Sequence, residues 1–260
     1  MSYKMQQSRY ELKYIIPEEQ ALKVRDFVMN YLDPDEHTNP NEGFGYSVHS
    51  LYLDSRDLKL CNATIIGEKN RYKLRIRFYD DQSDSPVFFE VKRRMNDVIL
   101  KQRAGVWKTA VPRLIAGDWP KRSDLIKADD SNYKALYNFC DLRDSIRAGP
   151  AAYTSYLREA YEPSDSNLYR VTFDRRILAG AYNGTLNVAD LEKWAQPQVD
   201  GVVLELKFTD RFPRWMHDLV QIFNLRRTTM PKYVECVSIL DGSPLRYMGR
   251  KMKTQPYELI

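Results

Sequence analysis

Residues 71–79 read RYKLRIRFY, and the alternation in this stretch decides the fold. Arg71, Lys73, Arg75 and Arg77 share one parity, while Tyr72, Leu74, Ile76 and Phe78 share the other. In a β-strand successive side chains point to opposite faces, so this segment presents four cations on one face and a wholly apolar surface on the other. The pattern recurs outward in both directions. On the C-terminal side, after the turn-like DDQSDSP, VFFEVKRR sets Glu90 and Lys92 opposite Phe89 and Val91, and residues 98–103 return with Lys101 and Arg103. On the N-terminal side, residues 46–54 (YSVHSLYLD) read as a strand, followed by a helical turn at 56–62. Residues 10–16 alternate Tyr10, Leu12 and Tyr14 with Glu11 and Lys13.

Three further strands are expected later in the chain. Residues 151–161 carry Tyr156 and Arg158 on one face, residues 168–176 set Arg170, Thr172 and Asp174 opposite Tyr169, Val171 and Phe173, and residues 202–208 set Glu205 and Lys207 against Leu204, Leu206 and Phe208. Helices are expected at 17–32, opened by Pro17 and two acids, across much of 107–145, and near 213–225. Residues 33–44 read as a turn-rich loop, and the apolar segment 232–240 stays ambiguous between helix and strand.

Composition bounds the function classes. The 260 residues are 43% hydrophobic and 29% charged, which supports a folded core burying roughly 70–75% of the unfolded surface. A mean hydropathy of −0.57 and only short apolar runs predict no membrane span. The start, MSYKMQQSRYELKY, has no apolar signal region, so a cytoplasmic location is expected. Cys61, Cys140 and Cys236 form no CxxC pair, and His37, His49 and His217 share no ligand spacing, which argues against disulfides and a thiolate or histidine metal site.

The net charge of +5 is mild until it is sorted by parity. The charged faces hold twelve cations (Arg9, Lys13, Arg71, Lys73, Arg75, Arg77, Lys92, Lys101, Arg103, Arg158, Arg170 and Lys207) and four anions (Glu11, Glu90, Asp174 and Glu205). That is +8 on one kind of face, leaving −3 for the rest of the chain. An ordinary solvated sheet face mixes Ser, Thr, Gln, Lys and Glu, and crowded like charges weaken a sheet unless an anion neutralises them. Eight strands can close into a barrel wide enough for side chains or one small ligand. With the polar parity inward, the product is a cationic tunnel suited to phosphate oxygens. Of the carboxylates, Glu205 is the first choice for a divalent metal; Glu90, Glu11 and Asp174 read as ion-pair partners that orient Lys and Arg.

The segments RYELKY, SLYLD, KLRIRFY, FFEVKRR, LKQR, YLREAY, YRVTFD, LELKF and MPKY, in this order across nearly the whole chain, resemble the vacuolar transporter chaperone (VTC) domain. This is the polyphosphate polymerase branch of the triphosphate tunnel metalloenzymes, or CYTH-like superfamily. The resemblance implies an α+β fold over residues 1–260 as one domain, an eight-stranded antiparallel tunnel closed as a barrel, with a basic lumen and helices packed outside. It implies transfer of the terminal phosphoryl group of ATP to polyphosphate with a divalent metal, manganese before magnesium. By position, Lys13, Arg75, Arg77, Lys92, Lys101, Arg158, Arg170 and Lys232 match phosphate-binding residues. Arg75, Arg77, Lys92 and Arg158 would clamp the reacting triphosphate, Glu205 matches the metal-binding glutamate, and Tyr52 would sit at the mouth near the base.

One departure bears on chemistry: Arg9 stands where the wider superfamily has the first Glu of a Glu-x-Glu-x-Lys motif, which fits a polymerase better than a hydrolase with several carboxylates on its metal. The rivals are a triphosphatase using the same tunnel and a noncatalytic polyphosphate-binding module. Nucleic acid is not expected, because a tunnel interior excludes a duplex. The expected partners are ATP and polyphosphate; a membrane protein could accompany the domain, since no regulatory domain or span is read in this sequence.

Overall fold

The computed structural model describes residues 9–38, 45–96, 98–166, 168–191 and 193–240, the side chain of Arg9 excepted. Among them are nine strands: β1 (Arg9–Ile16), β2 (Asp33–Pro34), β3 (Tyr46–Asp54), β4 (Asn70–Phe78), β5 (Pro86–Met95), β6 (Val98–Trp107), β7 (Gly149–Glu162), β8 (Tyr169–Gly180) and β9 (Val202–Thr209). Six α-helices accompany them: α1 (Glu18–Val28), α2 (Lys59–Ile65), α3 (Val111–Ile115), α4 (Asp130–Ser145), α5 (Arg214–Ile222) and α6 (Lys232–Leu240). The fold is α+β.

The antiparallel sheet runs β2-β7-β3-β4-β5-β6-β1-β9-β8, and β8 also pairs with β7. Among the described residues β1 meets β6 at one paired position, Arg9 opposite Ile99, whereas β1 is paired with β9 from Arg9 to Ile16. Among the described residues no continuous ladder closes the sheet at that seam, so the expected closed barrel is not shown there. The sheet's curvature nevertheless shows in contacts that skip a strand. Lys92 on β5 reaches Glu11 on β1 at 2.9 Å, Arg77 on β4 donates to the Tyr156 hydroxyl on β7 at 3.1 Å, and Arg158 on β7 lies 3.7 Å from Glu205 on β9. Side chains of non-neighbouring strands meet this way only on a concave face. The polar parity is that face.

The apolar parity faces outward under helices. Leu74, Ile76, Phe89, Val91 and Ala104 are buried with Leu136, Phe139 and Cys140 of α4, a helix capped by Asp129, whose side chain accepts from the Asn132 backbone N–H at 2.8 Å. On the opposite side Tyr14, Ile16, Phe173, Leu204 and Leu206 pack with Ala21, Val24 and Val28 of α1 and Met216 and Leu219 of α5. Between β9 and its preceding loop, Gly201 takes a φ of 128° and an added Cβ would fall 2.3 Å from the Ile16 carbonyl oxygen, so only glycine fits that turn.

Two sequence expectations give way to the structure here, and one open reading is resolved. A ninth, two-residue strand, β2, lies in the expected loop, where Asp33 and Pro34 pair with Glu162 and Tyr161 at the edge of the long β7. The ambiguous segment is helical. Finally, that helix, α6, does not pack outside. Its Tyr233, Val234, Cys236 and Val237 are buried with Val48 and Tyr52 of β3, Ala152 and Tyr156 of β7 and Val203 of β9. Val48 and Tyr52 share the parity of Ser50, which pairs with Arg77, so α6 sits against the inner face. Its apolar residues are satisfied there because this end of the inner face is itself apolar.

Candidate functional site

Strand register lines the cations into rows. Across β4, β5 and β6, Lys73 stands opposite Lys92 and Lys92 opposite Lys101; in the next inward-facing row Arg75 stands opposite Glu90 and Glu90 opposite Arg103. On the other wall Lys13 pairs with Glu205, Glu205 with Thr172, and Arg158 with Asp174. Two carboxylate centres organise these charges.

The first is Glu205, 4% exposed. Its carboxylate meets the ammonium groups of Lys13, of Lys207 at 2.7 Å and of Lys232 at 2.9 Å, and lies 3.7 Å from the Arg158 guanidinium. Burial alone would raise this carboxyl, but Lys13, Lys207, Lys232 and Arg158 together hold it well below the usual carboxylate range. Lys232, at the start of α6, also bridges to Asp174 at 2.5 Å, and Arg158 grips Asp174 with two hydrogen bonds of 2.7 Å. Against the opposing effect of burial, Arg158 and Lys232 bring Asp174 down to about 2. The stability it contributes is present above its ordinary value and lost as pH falls through about 2.

The second centre is Glu90, fully buried. Arg75 donates to it at 2.7 Å, Lys101 lies at 2.6 Å and Arg103 at 3.5 Å. Glu11 joins the two centres, holding Lys13 at 3.0 Å and Lys92 at 2.9 Å. Arg77 donates to Ser50 at 3.3 Å as well as to Tyr156. The expected ion-pair roles of Glu11, Glu90 and Asp174 are what the structure has.

The structure therefore brings seven of the eight expected phosphate-binding cations, Lys13, Arg75, Arg77, Lys92, Lys101, Arg158 and Lys232, onto one inner surface. Arg170 shares the inward parity, opposite Lys207, but engages other carboxylates, Asp35 at 2.5 Å and Glu162, beside the Tyr46 hydroxyl. Tyr52 is not at an open mouth. It is 6% exposed, stacks on Tyr233 of α6 at 4.6 Å and accepts from Arg75 at 3.3 Å. Sequence reasoning left Lys73 and Lys207 out of the site, although their parity placed both on the charged face.

Lys73 has no ion-pair partner among the described residues. Burial first, then Lys92, Lys13, Arg71 and Arg75, push it down to about 7. Burial likewise lowers Lys101 to about 7 and Lys207 to about 8, with Glu90 and Glu205 opposing it. Folding these lysines costs most when they are charged, so stability rises with pH as each loses its proton below its ordinary value of 10.5. A polyanion bound beside these lysines would restore their charged form. Tripolyphosphate binding near pH 8 should therefore take up protons, read as a dependence of the calorimetric enthalpy on the buffer's ionisation enthalpy; the same enthalpy in every buffer would contradict it.

The sequence model of the VTC domain matches residues 8–241. This chain belongs to the VTC-domain family. Every site residue named above lies inside the matched span. Among curated proteins none matches the chain. Solved structures similar to this VTC domain include a candidate adenylate cyclase from Bacillus halodurans (TM-score 0.46, 11% identity, 86% of this chain and 94% of the other) and the PH1819 protein from Pyrococcus horikoshii (TM-score 0.45, 13% identity, 90% and 99%). At those scores the likeness says nothing about activity. No helix among the described residues of the VTC domain is long and apolar enough to cross a membrane.

Both oxygens of Glu205, the residue marked for a divalent metal, are engaged by cations, Lys13 and Lys232 at Oε1 and Lys207 and Arg158 at Oε2. Among the described residues no group of three or more His, Cys, Asp and Glu could hold a metal ion. A metal on Glu205 would have to displace at least one of these cations and take most of its oxygen ligands from phosphates.

Proposed function

We propose that this VTC domain is an ATP-dependent polyphosphate polymerase, with the inner cationic face as a tunnel that holds the donor triphosphate and the growing chain. One observation carries the reading: seven Lys and Arg side chains share one concave surface, six of them paired with carboxylates and Arg77 with hydroxyls, and Lys73 extends the row of Lys92 and Lys101. Phosphoryl transfer needs in-line positioning and stabilisation of charge more than a protein nucleophile. Arg75, Arg77, Lys92 and Arg158 clamp the triphosphate, and Lys13, Lys101 and Lys232 hold neighbouring phosphates. Arg170, paired with other carboxylates, guides the chain. Each of these cations now rests on a carboxylate, hydroxyl or neighbouring side chain that a phosphate oxygen replaces without reorganising the backbone. A metal, manganese first, held by Glu205 would supply Lewis-acid neutralisation of the phosphate oxygens.

Purified protein incubated with ATP and manganese should form polyphosphate of many chain lengths on a gel. Orthophosphate without polymer would replace this reading with a triphosphatase, and tight polyphosphate binding without ATP turnover would replace it with a binding module.

A further inference from the structure

β7 and β8 change register behind the inner site. Ser155 pairs with Leu178 and Leu157 with Arg175, so β8 carries Arg176 and Ile177 against the single residue Tyr156. Arg176 takes a φ of 49°, a left-handed conformation uncommon for a side chain of its size. Bulges re-aim side chains and recur beside functional sites. The β8–β9 ladder ends at Asp174 opposite Val203. Beyond that point the outer surface holds a cleft of about 610 Å³, framed by α1, β7, the bulge of β8 and the segment entering β9. Its volume lies in the usual range for small-molecule sites.

The cleft has an apolar wall and a charged floor. Leu22, Leu157 and Val199 line the wall. In the floor Glu159, 2% exposed, is already matched by Arg175 at 2.6 Å and by the Tyr161 hydroxyl at 2.6 Å. Arg176 lines the same cleft, is exposed, and has no hydrogen-bond or ion-pair partner among the described residues. An unengaged planar guanidinium held by a strained backbone at the edge of an apolar cavity suits a phosphate attached to an apolar body.

We infer that this outer cleft is a binding site for a small organic phosphate with an apolar body, separate from the inner cationic face. The two sites share a wall. Arg158 lies between Leu157 and Glu159 on β7, and Asp174 immediately precedes Arg175 on β8, so neighbouring residues point to opposite sides of one strand pair. This assignment does not depend on the polymerase reading.

The probe is 1-naphthyl phosphate, followed by its fluorescence in the presence of excess tripolyphosphate to fill the inner face. Binding should persist there, weaken at least about tenfold in Arg176→Gly, as for loss of one charge-assisted contact, and stay unchanged in Arg77→Ala. Glycine suits the left-handed backbone at position 176, so that variant is expected to fold; Arg176→Lys, which keeps the charge, should recover part of the affinity. Absence of binding, complete displacement by tripolyphosphate, or equal affinity in Arg176→Gly would each overturn the assignment.

Discussion

Glu205→Gln is expected to abolish polymer formation from ATP and manganese and to destabilise the fold in the same protein. The substitution keeps the shape and removes the one negative charge that Lys13, Lys207, Lys232 and Arg158 share. Breaking a buried ion pair by removing one partner costs about 3–5 kcal/mol. The low end applies here, about 3 kcal/mol, because Lys13 and Lys207 keep 22% and 24% of their side-chain surface in solvent and relax toward it. Urea unfolding measures the loss. Tripolyphosphate should restore much of it, since phosphate oxygens supply the missing charge, while synthesis stays absent. Undiminished polymer yield in Glu205→Gln would remove Glu205 from the reaction.

Arg75→Ala should lower polymer synthesis by about 10²–10³-fold, the usual loss when a preorganised donor to developing charge is deleted. Arg75 is fixed on both sides, by Glu90 at 2.7 Å and by Tyr52, itself stacked on α6, so its guanidinium costs little to position. Arg170→Ala provides the contrast. Held by Asp35 and Glu162 rather than by either carboxylate centre, Arg170 should affect the capture of long chains more than the rate at saturating ATP. Equal loss of rate in the two variants would show that the inner face has no division between a reacting centre and a rim.

Much of the site was legible because a strand reports its faces locally. The four cations of β4 and the apolar set between them needed no partner strand to be sorted, and the same period found Lys92, Lys101, Arg158 and Glu205. α6 was opaque for the opposite reason. KYVECVSIL is apolar enough to read as strand or helix, and Lys232 gives no sign in one dimension that it reaches Asp174 and Glu205. Only the likeness to a known domain had marked it. Tyr52 was misplaced at a mouth because nothing in SLYLD foretells Tyr233, nearly two hundred residues away, lying flat on its ring. The strained Arg176 and its cleft left no signal either, since a bulge is a mismatch between two strands and belongs to neither sequence.

The sequence by itself determined which residues are polar-faced and which are core, because that follows from a period of two set by the backbone. It also determined that the polar face carries net positive charge. Only the tertiary structure decided which cation meets which carboxylate: Lys13 and Glu205 stand 192 residues apart and are joined by the β1–β9 register. That register, the curl that brings β5 onto β1 and β4 onto β7, and the seating of α6 against the inner face are long-range choices. They are made by matching buried charges and apolar surfaces across the whole fold, which no local window contains.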